Sequence, residues 1–170
     1  MSEMPDSAAG DLPQLRTIAD YQFGAGAGNA LFPASTVTIR RTSSGRPQQV
    51  LADGEDSSGP DASGRLVTFT TDGRFTLGLA GGRRLATALE APACRVIVDD
   101  ESEPFVRDGK NVFAKFVRGV DEAIRAGDEV VVTHDRGDVL AVGRAELAAT
   151  EMADFETGMA VKVREGAKSA

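Results

Sequence analysis

A single histidine, a single cysteine and three adjacent acidic pairs are the side chains of this 170-residue chain best suited to catalysis or metal binding. His134 has neither a second histidine nor a serine tied to it by spacing, so it anchors no triad and no multi-histidine metal site. It is expected as a surface residue at a strand end. Cys94 stands without an activating partner and is expected half-buried on a strand. One cysteine also excludes an internal disulfide and a multi-cysteine zinc centre. Asp99-Asp100, Asp121-Glu122 and Asp128-Glu129 have the carboxylates for an acid/base dyad or Mg²⁺, but adjacent acids at turns of an acidic chain are expected to be solvated surface. The run Gly24-Ala-Gly-Ala-Gly28 follows a helix and lacks the Lys-Ser/Thr of a phosphate loop, so it is read as a helix terminator. These residues assemble no reaction, and catalytic residues, a metal and a cofactor are all expected to be absent.

Binding chemistry is better represented. In Asp108-Gly-Lys-Asn-Val-Phe-Ala-Lys115, a turn glycine is followed by Lys110 and Asn111 and then by an apolar strand that aims them. Backbone N–H groups near Gly109, the Lys110 ammonium and the Asn111 amide suit a phosphate or a base edge; the same residues equally describe an ordinary polar turn. Lys162 and Arg164 share one strand face and are ambiguous in the same way.

The elements that must position these groups are short. The tail, residues 1–11, is small, polar and acidic and reads as disordered, fitting neither a secretory signal nor a transit peptide. Leu15, Ile18 and Ala19 predict a helix over Leu12 to Phe23. Strands are predicted at Val37–Thr42 and Gln48–Leu51, then a polar loop over Asp53–Gly64, then a hairpin of Leu66–Thr70 and Phe75–Leu79 turned by Asp72-Gly73. A short helix over Gly82–Leu89 closes this part. In the second part, strands are predicted at Arg95–Val98, Val112–Val117, Val130–Thr133, Val139–Val142 and Met159–Arg164. Helical turns fall at Glu101–Arg107, and a helix at Ala148–Glu156 has Thr150 as N-cap. Many short strands between glycine turns indicate a small barrel or sandwich. The fold class is α+β, with a module at 12–92 and a second domain at 93–166.

No apolar run approaches the roughly 20 residues of a membrane span, and a soluble, cytoplasmic protein without membrane partners is expected. The net charge of −7 argues against a polyanion partner. Yet the bases are 15 Arg against four Lys, and the acids are rich in Asp. That composition suits a salt-rich cytoplasm, where acidity answers the solvent rather than the ligand and counterion release contributes less to binding.

Three ordered motifs carry a family likeness: Gly127-Asp-Glu-Val130, Arg136-Gly-Asp-Val-Leu-Ala-Val-Gly143 and Gly158-Met-Ala-Val-Lys-Val163. Together they resemble the pattern of PUA domains. Phe105-Val-Arg-x-Gly-Lys-Asn-Val-Phe-Ala-Lys-Phe-Val117 resembles the start of that domain in archaeal tRNA-guanine transglycosylases and archaeosine synthases. Ala19-Asp-Tyr-Gln-Phe-Gly24 and Asp72-Gly-Arg-Phe-Thr-Leu77 look like the module that precedes it there. The resemblance implies a small pre-PUA α+β module followed by a PUA-type mixed β pseudo-barrel with short helices, in a haloarchaeal protein. It further implies that the barrel grips RNA, tRNA before others, through Arg107, Gly109, Lys110, Asn111, Lys115, Lys162 and Arg164, with Arg144 as a weaker candidate. The family's catalytic barrel alone would take roughly 250 residues, and its zinc cysteines have no counterpart here, so catalysis is not carried over. The expectation is a non-catalytic RNA binder, working beside a separate tRNA-modification enzyme. The alternative is a non-catalytic partner subunit of such an archaeosine enzyme, acting through protein contacts.

Overall fold

The computed structural model describes residues 3–33, 37–52, 64–155 and 157–167, with residues 3–10 by backbone alone. The chain divides into two compact units, Met1–Leu89 and Glu90–Ala170.

The first unit opens with helix α1, Glu3–Phe23. It starts inside the stretch expected as a disordered tail, nine residues ahead of the expected Leu12. Pro5 falls in the first turn, where a missing N–H breaks no bond, so it does not stop the helix. Gly24 and Gly26 then take positive φ, +114° and +94°. The chain reverses into the short helix α2, Ala27–Leu31. A Cβ at Gly28 would lie 2.4 Å from the Arg16 carbonyl, and the Gly28 N–H donates to the Asp20 carboxylate at 2.7 Å. The glycine run thus ends one helix and lets the next lie against it, as a terminator should.

Four strands follow as an antiparallel meander: β1 Val37–Arg41, β2 Pro47–Ala52, β3 Arg65–Phe69 and β4 Phe75–Leu77. The expected loop at Asp53–Gly64 lies, apart from Gly64, outside the described residues. Helix α3, Leu79–Ala88, begins three residues earlier than expected. Its glycines allow this: a Cβ at Gly81 would meet the Leu66 carbonyl at 2.1 Å, so only glycine lets the helix backbone touch β3. Leu31, Phe32, Val50, Leu66, Phe75, Leu77 and Leu85 fill the core. Gln22 clasps β4 from α1, donating to and accepting from the Phe75 backbone at 2.8 Å each.

The second unit is a six-stranded sheet: β5 Arg95–Val98, β6 Val112–Phe113, β7 Val117–Val120, β8 Glu129–His134, β9 Val139–Ala145 and β10 Met159–Gly166. The spatial order is β6-β10-β9-β8-β5-β7. Only β5 and β8 run parallel. Val112–Val117, expected as one strand, is broken by a 3₁₀ turn at Ala114–Phe116. The break has a topological cause. It carries the chain from β6 at one edge of the sheet to β7 at the other, which draws the edges together into a nearly closed pseudo-barrel and leaves little open edge. Inside lie Val96, Val98, Val112, Val130, Val132, Leu140 and Val161, each contributing about 1.5–3 kcal/mol by leaving water. Helix α4, Glu103–Arg107, and helix α5, Ala149–Asp154, complete the unit. The N-cap of α5 is Ala148, not Thr150. Its N–H donates to the Glu151 carboxylate at 2.8 Å, so a side chain from inside the first turn replaces the expected hydroxyl.

Candidate nucleic-acid interface

Helix α4 delivers the donor loop. Its last turn closes as Gly109 adopts φ +94°, with the Gly109 N–H on the Val106 carbonyl and the Lys110 N–H on the Phe105 carbonyl, both at 2.9 Å. The two backbone donors expected to face a phosphate therefore serve the helix end. Asn111 is also engaged: its Oδ1 accepts the Val163 N–H at 2.9 Å, which pins the loop along β10. The loop reaches the far end of that strand too. A Cβ at Gly166 would lie 2.4 Å from the Arg107 carbonyl and 2.8 Å from the Gly109 nitrogen. Lys110 is exposed and pairs with no carboxylate among the described residues.

Beside the loop, three strands place a row of charges on the outer face. Glu129 on β8 is opposite Arg144 on β9, and Arg144 is opposite Lys162 on β10; directly opposed residues share a face. Arg144 bonds Glu146 at 3.0 Å. Arg164, two residues beyond Lys162, bonds the buried Glu129 carboxylate at 2.6 Å. Lys162 is exposed and, among the described residues, pairs with no acid. Thus Lys110, Asn111, Arg144, Lys162 and Arg164 border one strand, as do Gly109 and Arg107. Lys115 is separate: it sits on the 3₁₀ turn past β6, its ammonium 5.0 Å from the centre of its neighbour Phe116. Exposed Phe113 and Phe155 went unnoticed in the sequence. The alternation of Val112, Ala114 and Phe116 along this stretch is the signal that leaves Phe113 facing out.

Arg107 belongs to a different arrangement. It bonds Glu103 at 3.1 Å, lies 3.8 Å from Asp138, and donates to the Ala167 carbonyl at 3.2 Å. Arg136 bonds both Glu103, at 3.2 Å, and Asp138, at 3.1 Å. At the centre is His134, 3% exposed instead of on the surface as expected. Strand β8 is buried along its whole length, so its end is not a surface position. The ring contacts the Asp100 carboxylate through Nε2 and has Asp135 2.8 Å from Nδ1. Burial pushes the Glu103 carboxyl up, but hydrogen bonds from Arg107 and Arg136 outweigh it and leave the pKa below the ordinary value. Hydrogen bonds to Asp138 and Glu103 hold the Arg136 pKa up. Ligand atoms of Asp100, Glu103 and His134 lie within 4.8 Å of one another. Two guanidinium groups already supply the positive charge there, so the cluster reads as a structural ion network.

Of the remaining acids expected to be solvated, Glu122 is exposed as expected, whereas Asp99 and Asp121 are structural. Asp99 accepts from Ser102 N–H and pairs with Arg118, while Asp121 accepts the N–H groups of Cys94 and Ala123. Cys94 is buried just ahead of β5 at φ +61°, not half-buried on a strand. Burial, with Asp121 adding to it, pushes its thiol up to about 11, which leaves it unreactive at neutral pH.

Comparison with known proteins agrees with this architecture. Residues 13–92 match the patch-forming domain C2 of tRNA-guanine transglycosylase, and residues 94–167 match the PUA domain. Over 153 residues the chain is 45% identical to the tRNA-guanine(15) transglycosylase of Pyrococcus abyssi, covering 89% of this chain and 24% of that protein. With the Methanobrevibacter smithii enzyme it shares 40% over 162 residues, 95% of this chain and 23% of that one. The chain is homologous to the C-terminal portion of archaeal tRNA-guanine transglycosylase. It spans about a quarter of the length of these relatives. Among solved structures, a hypothetical protein from Pyrococcus horikoshii superposes with TM-score 0.70 at 20% identity, over 94% of this chain and 92% of that one. A PUA domain protein from Thermoplasma acidophilum gives 0.62 at 18%, over 94% and 89%. Those two similarities are of fold alone. The pre-PUA and PUA modules read from the motifs are therefore present in this chain.

Proposed function

We propose that this chain binds structured RNA, tRNA before others, without catalysing a reaction, and that β10 with its flanking loop is the binding strip. The observation that carries the reading is the disposition of cations along that strand: Lys110 and Lys162 face solvent without acid partners among the described residues, and Arg144 lies directly beside Lys162. Such a strip contacts backbone phosphates and helix shape more than base edges. Lys115 adds charge at a distance, Asn111 sets the loop, and Arg164 and Arg107 act mainly through their own carboxylates. The relatives' activity on tRNA supports tRNA as the ligand, beside a separate modification enzyme in the cytoplasm. The Asp-rich, Lys-poor surface fits a salt-rich, haloarchaeal host, so binding belongs in concentrated KCl as well as dilute buffer. Replacing Lys110→Ala together with Lys162→Glu is expected to lower tRNA affinity at least about tenfold, with the thermal midpoint unchanged, since neither residue is buried. Wild-type affinity in that variant defeats the reading.

The alternative, a partner subunit held by protein contacts, draws support from Tyr21, 95% exposed on α1. A stoichiometric complex that survives nuclease and is lost in Tyr21→Ser decides for it.

A further inference from the structure

Three aromatic rings on the second unit are left in water: Phe105 on α4, 60% exposed, and Phe113 and Phe155, each 46% exposed, of which the last two stand at the start of β10. Phe113 on β6 is opposite Met159, the first residue of β10. The Ala114 N–H, next in the chain, bonds the Gly158 carbonyl at 2.9 Å. Phe155 approaches the same place from the end of α5: a Cβ built on Gly158 would lie 4.0 Å from its ring. Gly158 itself holds φ +111°, so a side chain there is disfavoured and the ground beside the Phe155 ring stays low. Neither ring is needed for the core, which Val112 and Val161 fill from the opposite face.

We propose that Phe113 and Phe155 form a stacking platform for unpaired bases of bound RNA, at the Gly158 end of the β10 strip. This inference rests on the RNA-binding reading and goes beyond it by assigning a single-stranded segment to a site that the cations alone do not define. The outer face continues from the Phe113–Met159 pair to the Lys162–Arg144 pair. The separation is three residues, roughly 10 Å at about 3.3 Å per residue. Lys115 follows Phe113 by two residues and is likewise exposed. An aromatic ring beside a line of ammonium and guanidinium groups matches a strand of nucleotides, whose bases stack while its backbone follows the charges. A protein partner would call instead for a broader continuous apolar patch, and here exposed Lys115 and the Lys162–Arg144 pair lie along the strands that carry Phe113.

The test uses the full chain and two RNAs: a blunt hairpin, and the same hairpin with a short single-stranded overhang carrying 2-aminopurine. For the wild type, tighter binding of the overhang RNA and quenched 2-aminopurine fluorescence are expected. In Phe113→Leu/Phe155→Leu, overhang affinity is expected to fall about tenfold or more and the quenching to vanish, while hairpin affinity and thermal midpoint stay put. Unchanged overhang affinity and quenching in the double variant overturn the stacking site and leave RNA binding intact. Equal loss for both RNAs also overturns it, since the rings then act on the strip as a whole. A wild type that binds neither RNA removes both readings together. Loss of a protein complex in the double variant, with RNA binding unaltered, assigns the rings to a protein partner and refutes the proposal.

Discussion

The two ends of the PUA domain's charge pattern use cations in opposite ways. Around His134, Arg107 and Arg136 share Glu103 and Asp138, and each guanidinium fork bridges two elements. Along β10, Lys110 and Lys162 face solvent with no acid partner among the described residues. The division follows side-chain chemistry. A guanidinium is planar and offers five donors in a fixed fork, so it satisfies two carboxylates at once and knits elements together. An ammonium is a strongly hydrated point charge that is held less firmly and stays available. The lesson is that net charge misreads this molecule. Much of the acid is spent on internal bonds to arginines and backbone N–H groups, and Lys110 and Lys162 keep a local cationic strip.

The sharpest way to break the contrast is to disturb a contact shared by both regions. Gly166→Ala forces a Cβ against the Arg107 carbonyl and the Gly109 nitrogen. Overpacking against backbone is expected to cost about 1–3 kcal/mol in chemical denaturation and to weaken RNA binding as the Gly109 loop shifts. Full stability in this variant would mean that β10 does not set the loop.

A second pair of variants separates binding cations from building ones. Lys162→Ala is expected to weaken RNA binding a few-fold and to reduce the slope of log affinity against log salt by about one, with no change in stability. Arg107→Ala is expected to do the reverse, lowering the thermal midpoint and leaving the slope unaltered. Identical salt slopes for the two would erase the distinction drawn here.

The smallest expected effect concerns pH. The folded pKa of Glu103 is lowered, so its ionised form adds stability that is present above the unfolded value near 4.5 and is lost as pH falls through the folded value. Glu103→Gln is expected to cost roughly 0.5–1 kcal/mol at neutral pH, the range of surface ion pairs. The loss should shrink on acidification below the ordinary carboxylate range. A constant difference from neutral to acid pH would show that the network's charge is not what stabilises it.

How much was legible beforehand depended on whether the signal was local. Valine-rich runs between glycine turns marked β5, β8, β9 and β10, because β-branched composition and turn glycines are properties of neighbours in sequence. The break at Ala114–Phe116 was invisible for the opposite reason. Local alternation favours a continuous strand, and only closure of the sheet demands that the chain leave one edge for the other. Helix α1 starts ahead of its expected start in part because Pro5 falls in the first turn, where a proline is tolerated.

The same boundary divides the site. Sequence alone determined that this chain lacks a second histidine, paired cysteines and a phosphate loop, and it placed Lys110, Asn111 and Lys162 where donors could face outward. It also pointed to the two modules through motifs that resemble those of the family, and the matches at residues 13–92 and 94–167 agree. Tertiary structure decided which cations remain available, because pairing depends on distance between strands far apart in sequence: Arg164 meets Glu129 35 residues away, and Arg136 meets Glu103 at 33. It likewise decided that His134 is buried, and that Phe113 and Phe155 both stand at the start of β10. Coulomb attraction and ring stacking act through space, and only the folded chain fixes those distances.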